Sequence, residues 1–141
     1  GMVIPYLTND YEQVLVEDLR HLQHLAYHAN GSVRGMLAIT EDDINWLSGR
    51  YDFYCEQVGD KIKQFVIPQG CLAALHLHEV RNDAKIVYRA LHHAHKEEAV
   101  SELLFKFTGL LSNVACAMAL YVNQLNDVDE IPFHTKSYVL K

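Results

Sequence analysis

The chain has 141 residues and a mass of 16.1 kDa, enough for one domain with a single sizeable core. Half of its residues are hydrophobic and 21% are charged, a composition that excludes intrinsic disorder. The formal charge of −6 argues against nucleic acid or an anionic membrane as the default partner, although nine histidines would offset it on protonation at about pH 6. Three cysteines, Cys55, Cys71 and Cys116, are odd in number and lack CxxC spacing. They fit buried thiols in a reducing compartment better than a disulfide framework or a zinc site. Gly1-Met2 reads as an expression remnant, and no positively charged stretch with a following apolar run suggests a signal peptide. The longest apolar run, Val114 to Val122, is nine residues, short of the roughly 20 that a membrane span needs. A soluble, cytoplasmic protein is expected.

Four long helices are predicted. The first runs from about Asp10 to Ala29, where Leu15, Leu19, Leu22, Ala26 and Ala29 form one apolar stripe. Asn30-Gly31-Ser32 is its expected stop. The second opens at Thr40-Glu41-Asp42-Asp43, which resembles a capping box. Its inner face is Ile44, Leu47, Tyr51, Tyr54, Cys55, Val58 and Ile62, with Gly49 a weak point. Pro68 makes Phe65-Val66-Ile67-Pro68-Gln69-Gly70 a structured connection. The third helix covers about Cys71 to His95 and the fourth about Ala99 to Leu125, joined by Lys96-Glu97-Glu98. No segment alternates with period two. The expected fold is therefore all-α, an antiparallel four-helix bundle forming one domain over residues 1–141. Residues 1–9 would be an N-terminal extension, and 126–141 a tail packed on the bundle or on a neighbour.

The third helix has a broad apolar arc and a narrow polar arc of His78, Arg81, Asn82, Lys85, Arg89 and His92. Five of these six can carry positive charge on an acidic protein, which suits an anion such as a phosphate chain. A solvated face that keeps the protein soluble is the alternative. On the first helix Glu17, His21, His24 and His28 share a face about 150° from the leucines, an angle set by the helical period. Imidazoles so spaced can bind zinc, nickel or iron. Bundle metal sites, however, point inward and use Glu-x-x-His pairs, which this helix lacks, so a solvated or subunit-interface face is the stronger reading. His92, His93 and His95 suit the negative end of a helix macrodipole. The thiols sit in apolar contexts, and no Gly-x-Ser-x-Gly, P-loop or Rossmann glycine pattern occurs. A stand-alone hydrolase or nucleotide-binding fold is not indicated.

Phe65 to Arg81, FVIPQGCLAALHLHEVR, resembles the signature of the ATP:cob(I)alamin adenosyltransferases of the propanediol-utilisation type. That family shows a Phe-x-x-Pro-Gly-Gly turn and then a helix with Leu-His-x-Ala-Arg, at the same spacing. Leu47-Ser48 and Tyr51-Asp52 stand where the family has Leu-Glu and Ile-Asp. Leu111-Ser112-Asn113 through Asn123 is similar to its Leu-Ser-Asp segment ending in Arg-x-x-Asn. The resemblance covers roughly residues 41 to 123.

The resemblance implies cobalamin and ATP with magnesium as ligands, and a homotrimer whose site lies between subunits. Phe65 would sit by the corrin and help keep a lower ligand off cobalt. Arg81 and Lys85, the latter in place of an arginine, would hold the phosphates, and Arg89 is a further basic position. The candidate residues are thus Phe65 and Arg81 for catalysis, and Arg81, Lys85, Arg89, His78 and Asn113 for the phosphate-bearing substrate; no metal ligand is assigned. Several family features differ here. The Thr-Gly-Asp-x-Gly loop that wraps the triphosphate is absent, as is most of the first family helix. Gly31-Ser32-Val33-Arg34-Gly35 is at best a remnant of Asp-Glu-Leu-Asn, and Gln69 replaces the first glycine of the turn. Tyr88 replaces a glutamate, Gly109-Leu110 an Asn-Arg pair, Asn113 an aspartate and Leu120 an arginine. These losses fall mainly on ATP, because triphosphate binding needs backbone donors, cations and Mg²⁺ converging on one place. Two readings follow: an adenosyltransferase that transfers the adenosyl group of ATP to cob(I)alamin, or a non-catalytic relative binding a corrinoid or another small anion at a subunit interface.

Overall fold

The computed structural model describes residues 1–34, 36–64, 66–95 and 101–133. Its four helices are α1 (Gln13–Arg34), α2 (Glu41–Val58), α3 (Leu72–His95) and α4 (Glu102–Leu125). They form an all-α bundle. Among the described residues the only strand-like contact is an isolated bridge between Val66 and Pro132.

Successive helices alternate in direction. His21 of α1 stacks flat on Trp46 of α2, ring centroids 3.9 Å apart, and Asp18 takes bonds from Arg50 Nε at 2.7 Å and Tyr54 Oη at 2.6 Å. Tyr88 of α3 meets Phe105 of α4, and Arg81 meets Cys116 further along. α2 runs alongside α4 in the same sense, with Tyr54 beside Tyr121 and Gln57 beside Gln124.

α4 lies at the centre. Val114, Ala115, Ala117, Met118, Ala119, Leu120 and Val122 are all buried, and small residues let α2 and α3 approach closely. Glu102–Leu125 has a mean hydropathy of 1.6 over its most apolar window, long and apolar enough to cross a membrane. More than half of that window is buried in the bundle, so its apolarity is used by the core.

The start of α2 is capped as its sequence predicts: Thr40 Oγ1 accepts from the Asp43 amide at 3.2 Å and Asp43 Oδ2 from the Thr40 amide at 3.0 Å. Gly49 does not interrupt it. α2 ends where Gly59 adopts φ 61°, and Ile62 falls in the 3-10 turn Gly59–Lys63 that follows.

The expected stop at Asn30-Gly31-Ser32 is not one, because α1 continues through it to Arg34. Ser32 explains the continuation: its hydroxyl donates to the His28 carbonyl at 2.7 Å and accepts from the Ala38 amide at 2.8 Å. The bonds that could compete with the helix are thereby used to hold it and its exit loop. The N-terminal boundary also moves, since Asp10–Glu12 is a 3-10 turn and α1 begins at Gln13. Val3 and Leu7 are buried against the core. The linker Lys96-Glu97-Glu98, and Ala99 as the first residue of α4, lie outside the described residues; Ser101 caps α4 by accepting from the Leu103 amide at 3.3 Å. All three cysteines are free thiols.

Candidate functional site

Arg81, Lys85 and Arg89 sit four residues apart on α3, so their side chains line one edge of it. α4 supplies the opposite edge. Arg81, Lys85, Ser112, Asn113 and Cys116 line a cleft of 330 Å³ together with Ile62, Lys63, Gln64, Val66 and Phe133. Lys85, Ser112 and Asn113 also line an adjoining 240 Å³ depression with Tyr88, Arg89 and Gly109. The two form one groove, of a size at the low end of small-molecule sites (about 300–1,000 Å³).

Its charge is one-sided. Among the described residues no carboxylate pairs with Arg81, Lys85 or Arg89; the ion pairs are Arg50–Asp18, Lys63–Asp60 and His76–Glu79. Arg81 Nη1 reaches only the Cys116 sulfur, at 3.9 Å. The Arg81 Nε and the Ser112 hydroxyl are buried with no partner, a costly arrangement unless something else meets them. Uncompensated cations with spare donors on a net-negative protein fit an anion. A second groove, between α1, α3 and α4, holds 290 Å³ and is walled by Ala26, Ala29, Ala84, Val87, Leu91 and Phe107. Among the described residues no cation lines it.

His78 departs from the expected polar stripe. It is 2% exposed, and neither ring nitrogen has a partner among the described residues. Burial, together with the nearby Arg81 charge, pulls its pKa down to about 4, so it is neutral and adds no charge beside Arg81, Lys85 and Arg89, while His92 packs against the rings of Tyr88 and Phe105. The helical wheel placed it correctly on the arc that contains Arg81, but a wheel does not tell where neighbouring helices cover that arc. Phe65 lies outside the described residues; Gln64 and Val66 both line the cleft.

The turn before α3 is held by a residue whose role the sequence did not reveal. Asn123, fully buried on α4, accepts from the Cys71 amide at 3.1 Å and donates to the Gln69 carbonyl at 2.9 Å and to Glu130 Oε1 at 3.1 Å. Gly70 has φ 123°, and a Cβ there would collide with the Asn123 amide. The Gly70–Asn123 pair is visible in the sequence, but their contact needs the packing of α3 on α4. Of the remaining departures, Leu120 is 1% exposed and packs with Val58 and Val66, while Gly109 leaves room beside the Tyr88 ring.

The histidine stripe of α1 is exposed, but two of its rings are engaged. His21 lies on Trp46 and His24 Nδ1 is 2.8 Å from the Arg20 carbonyl. Among the described residues no three His, Cys, Asp or Glu side chains stand close enough to share a metal ion.

The family model for cobalamin adenosyltransferase matches residues 1–122. The chain belongs to the cobalamin adenosyltransferase family. It is 24% identical over 132 residues to a corrinoid adenosyltransferase of Bacillus subtilis, an alignment spanning 90% of this chain and 68% of that enzyme. Its fold matches a PduO-type ATP:corrinoid adenosyltransferase variant from Lactobacillus reuteri complexed with cobalamin and ATP, at a TM-score of 0.80 and 23% identity over 95% of this chain and 80% of that one. A second variant of that enzyme, complexed with ATP, matches at a TM-score of 0.82 and 25% identity over 94% of this chain and 80% of that one. The adenosyltransferase-like character and the bundle expected from the sequence are both correct.

Proposed function

We propose that this family member binds a corrinoid and ATP at the α3–α4 groove and transfers the adenosyl group of ATP to the reduced corrinoid: the cob(I)alamin electron pair forms the cobalt–carbon bond as the 5′ carbon–oxygen bond breaks and triphosphate leaves. The observation that carries this reading is the row of three cations, Arg81, Lys85 and Arg89, that pair with no carboxylate among the described residues. Arg81 and Lys85 hold the phosphates, Arg89 extends the field to the groove mouth, and Asn113 hydrogen-bonds from the opposite edge. His78, neutral and buried, acts from beneath Arg81 rather than as a phosphate-binding cation. Phe65 lies against the corrin. Magnesium would be bound largely through the phosphates and water.

The relatives add support for lysine at position 85. The solved L. reuteri variants include one altered at a phenylalanine and one carrying lysine for arginine, and the latter is complexed with ATP. The two altered positions are separated by the same twenty residues that separate Phe65 from Lys85. A homotrimer with the groove completed by a neighbouring subunit, and a cytoplasmic location in keeping with three free thiols, belong to the same proposal.

A second reading, a corrinoid-binding relative without catalysis, is favoured by one feature: two positions where the family carries arginine are Leu110 and the buried Leu120. The experiment that separates the readings is an adenosylation assay with cobalamin, Mg-ATP and a strong reductant, followed by the visible spectrum of the corrinoid. Formation of adenosylcobalamin, abolished by Arg81→Ala, is the expected result. Spectral change on cobalamin binding with no adenosylated product supports the second reading and overturns the first.

A further inference from the structure

One wall of the groove is built from two segments distant in sequence. One is the turn of residues 66–70 and the other the strap of residues 127–133 after α4. They are joined by the Val66–Pro132 bridge and by the Ile67 amide donating to the Ile131 carbonyl at 2.9 Å. Val66 from the turn and Phe133 from the strap both face the cleft that holds Arg81 and Lys85.

One side chain touches both segments and the start of α3. Asn123 holds the turn through Gln69 and Cys71 and the strap through Glu130. Its backbone carbonyl also accepts from the Val128 amide at 2.9 Å, which starts the strap on its course. The fit is tight, because only a glycine at position 70 leaves room for the amide. Asn123 itself lines none of the groove.

We propose that Asn123 is the positioning residue of the groove: by tying turn, strap and α3 together it sets the distance between this apolar wall and the cations of α3, and so decides how a planar, amphipathic ligand with an anionic partner is seated. The inference rests on the corrinoid and ATP reading above. An amide suits the task where a carboxylate does not. It accepts one bond from a backbone N–H while donating two, to a carbonyl and a carboxylate. Aspartate would keep the bond from Cys71 but turn a bare oxygen toward Gln69 and Glu130.

The test is a swap. Asn123→Asp, Glu130→Gln and the double variant are compared with the wild type. Hydroxocobalamin affinity is read from its visible spectrum, protection of the Ile67 and Cys71 amides by hydrogen exchange, and helix content by circular dichroism. Asn123→Asp is expected to lose the Ile67 protection while keeping that of Cys71, whose amide still meets a carboxylate oxygen, and to weaken cobalamin binding by about tenfold or more, the scale on which misplaced groups lower function, with helix content unchanged. The double variant is expected to recover part of both, because the side-chain amide introduced at position 130 donates to the new carboxylate while the Gln69 carbonyl still lacks its donor. An Asn123→Asp protein that binds as tightly as the wild type, or a folded double variant with no recovery, overturns the proposal. If wild type binds no cobalamin, the functional reading fails, and the Ile67 amide still decides the tie: its protection lost in Asn123→Asp and regained in the swap supports it, and its protection unchanged overturns it.

Discussion

His78 shows how a single side chain can change role between sequence and fold. Its imidazole is buried, and desolvation, with Arg81 nearby, lowers its pKa from 6.5 to about 4. Between these values the unfolded chain binds the proton and the folded chain does not. Stability therefore rises with pH across that window and falls as pH drops from about 6.5 toward 4. The loss attributable to this residue is on the order of 2 kcal/mol. Denaturant titrations of wild type and His78→Gln at pH 7 and pH 4.5 are expected to show the larger drop in the wild type; equal drops contradict the account. Arg81, Lys85 and Arg89 were legible from helical spacing, because a row of cations four residues apart needs no partner to be seen. The burial of His78 and the bonds of Asn123 were not, because both depend on which helix covers which arc of α3. Gly70 was legible as a turn glycine but not as a contact. Gly70→Ala combines φ 123° with a collision on a buried amide, and is expected to cost at least about 2 kcal/mol. A thermal melt within a degree of wild type would refute that.

At the scale of elements, the helices were legible wherever a local signal was not in competition. Thr40 and Asp43 form the reciprocal cap their spacing predicts, and Thr40→Ala is expected to lower unfolding free energy by about 1 kcal/mol, measured by chemical denaturation. Gly31 misled because it carries a strong stop signal. Ser32 bonds back to His28 and forward to Ala38, and that second partner lies beyond the helix, where periodicity gives no information. The strap after α4 had no periodic signal at all. Its order comes from Asn123 at the end of α4 and from Val66 and Ile67, which belong to a segment far away in the chain.

At the scale of the whole molecule, a net charge of −6 and a groove with three cations that no described carboxylate pairs pull in opposite directions, which focuses anions at one place. Anion binding at the groove is therefore expected to weaken as ionic strength rises, since exposed charges are screened over about 10 Å at 0.1 M salt. A salt series of ATP affinities checks this, and an affinity independent of salt would argue against the cation row as the site. The exposed Leu72, Ile86 and Val87 of α3 fit a bundle that associates, and light scattering is expected to give three copies. The central claim, that the row on α3 is the ligand-binding face of an adenosyltransferase, is tested most directly by calorimetric titration of wild type and Arg81→Ala with Mg-ATP and, separately, with cobalamin. Wild type is expected to bind both, and Arg81→Ala to retain its helix content and cobalamin binding but lose about 10- to 100-fold in ATP affinity, the range for a removed charged hydrogen-bond partner. ATP binding of equal strength in both proteins, or none in the wild type, would contradict it.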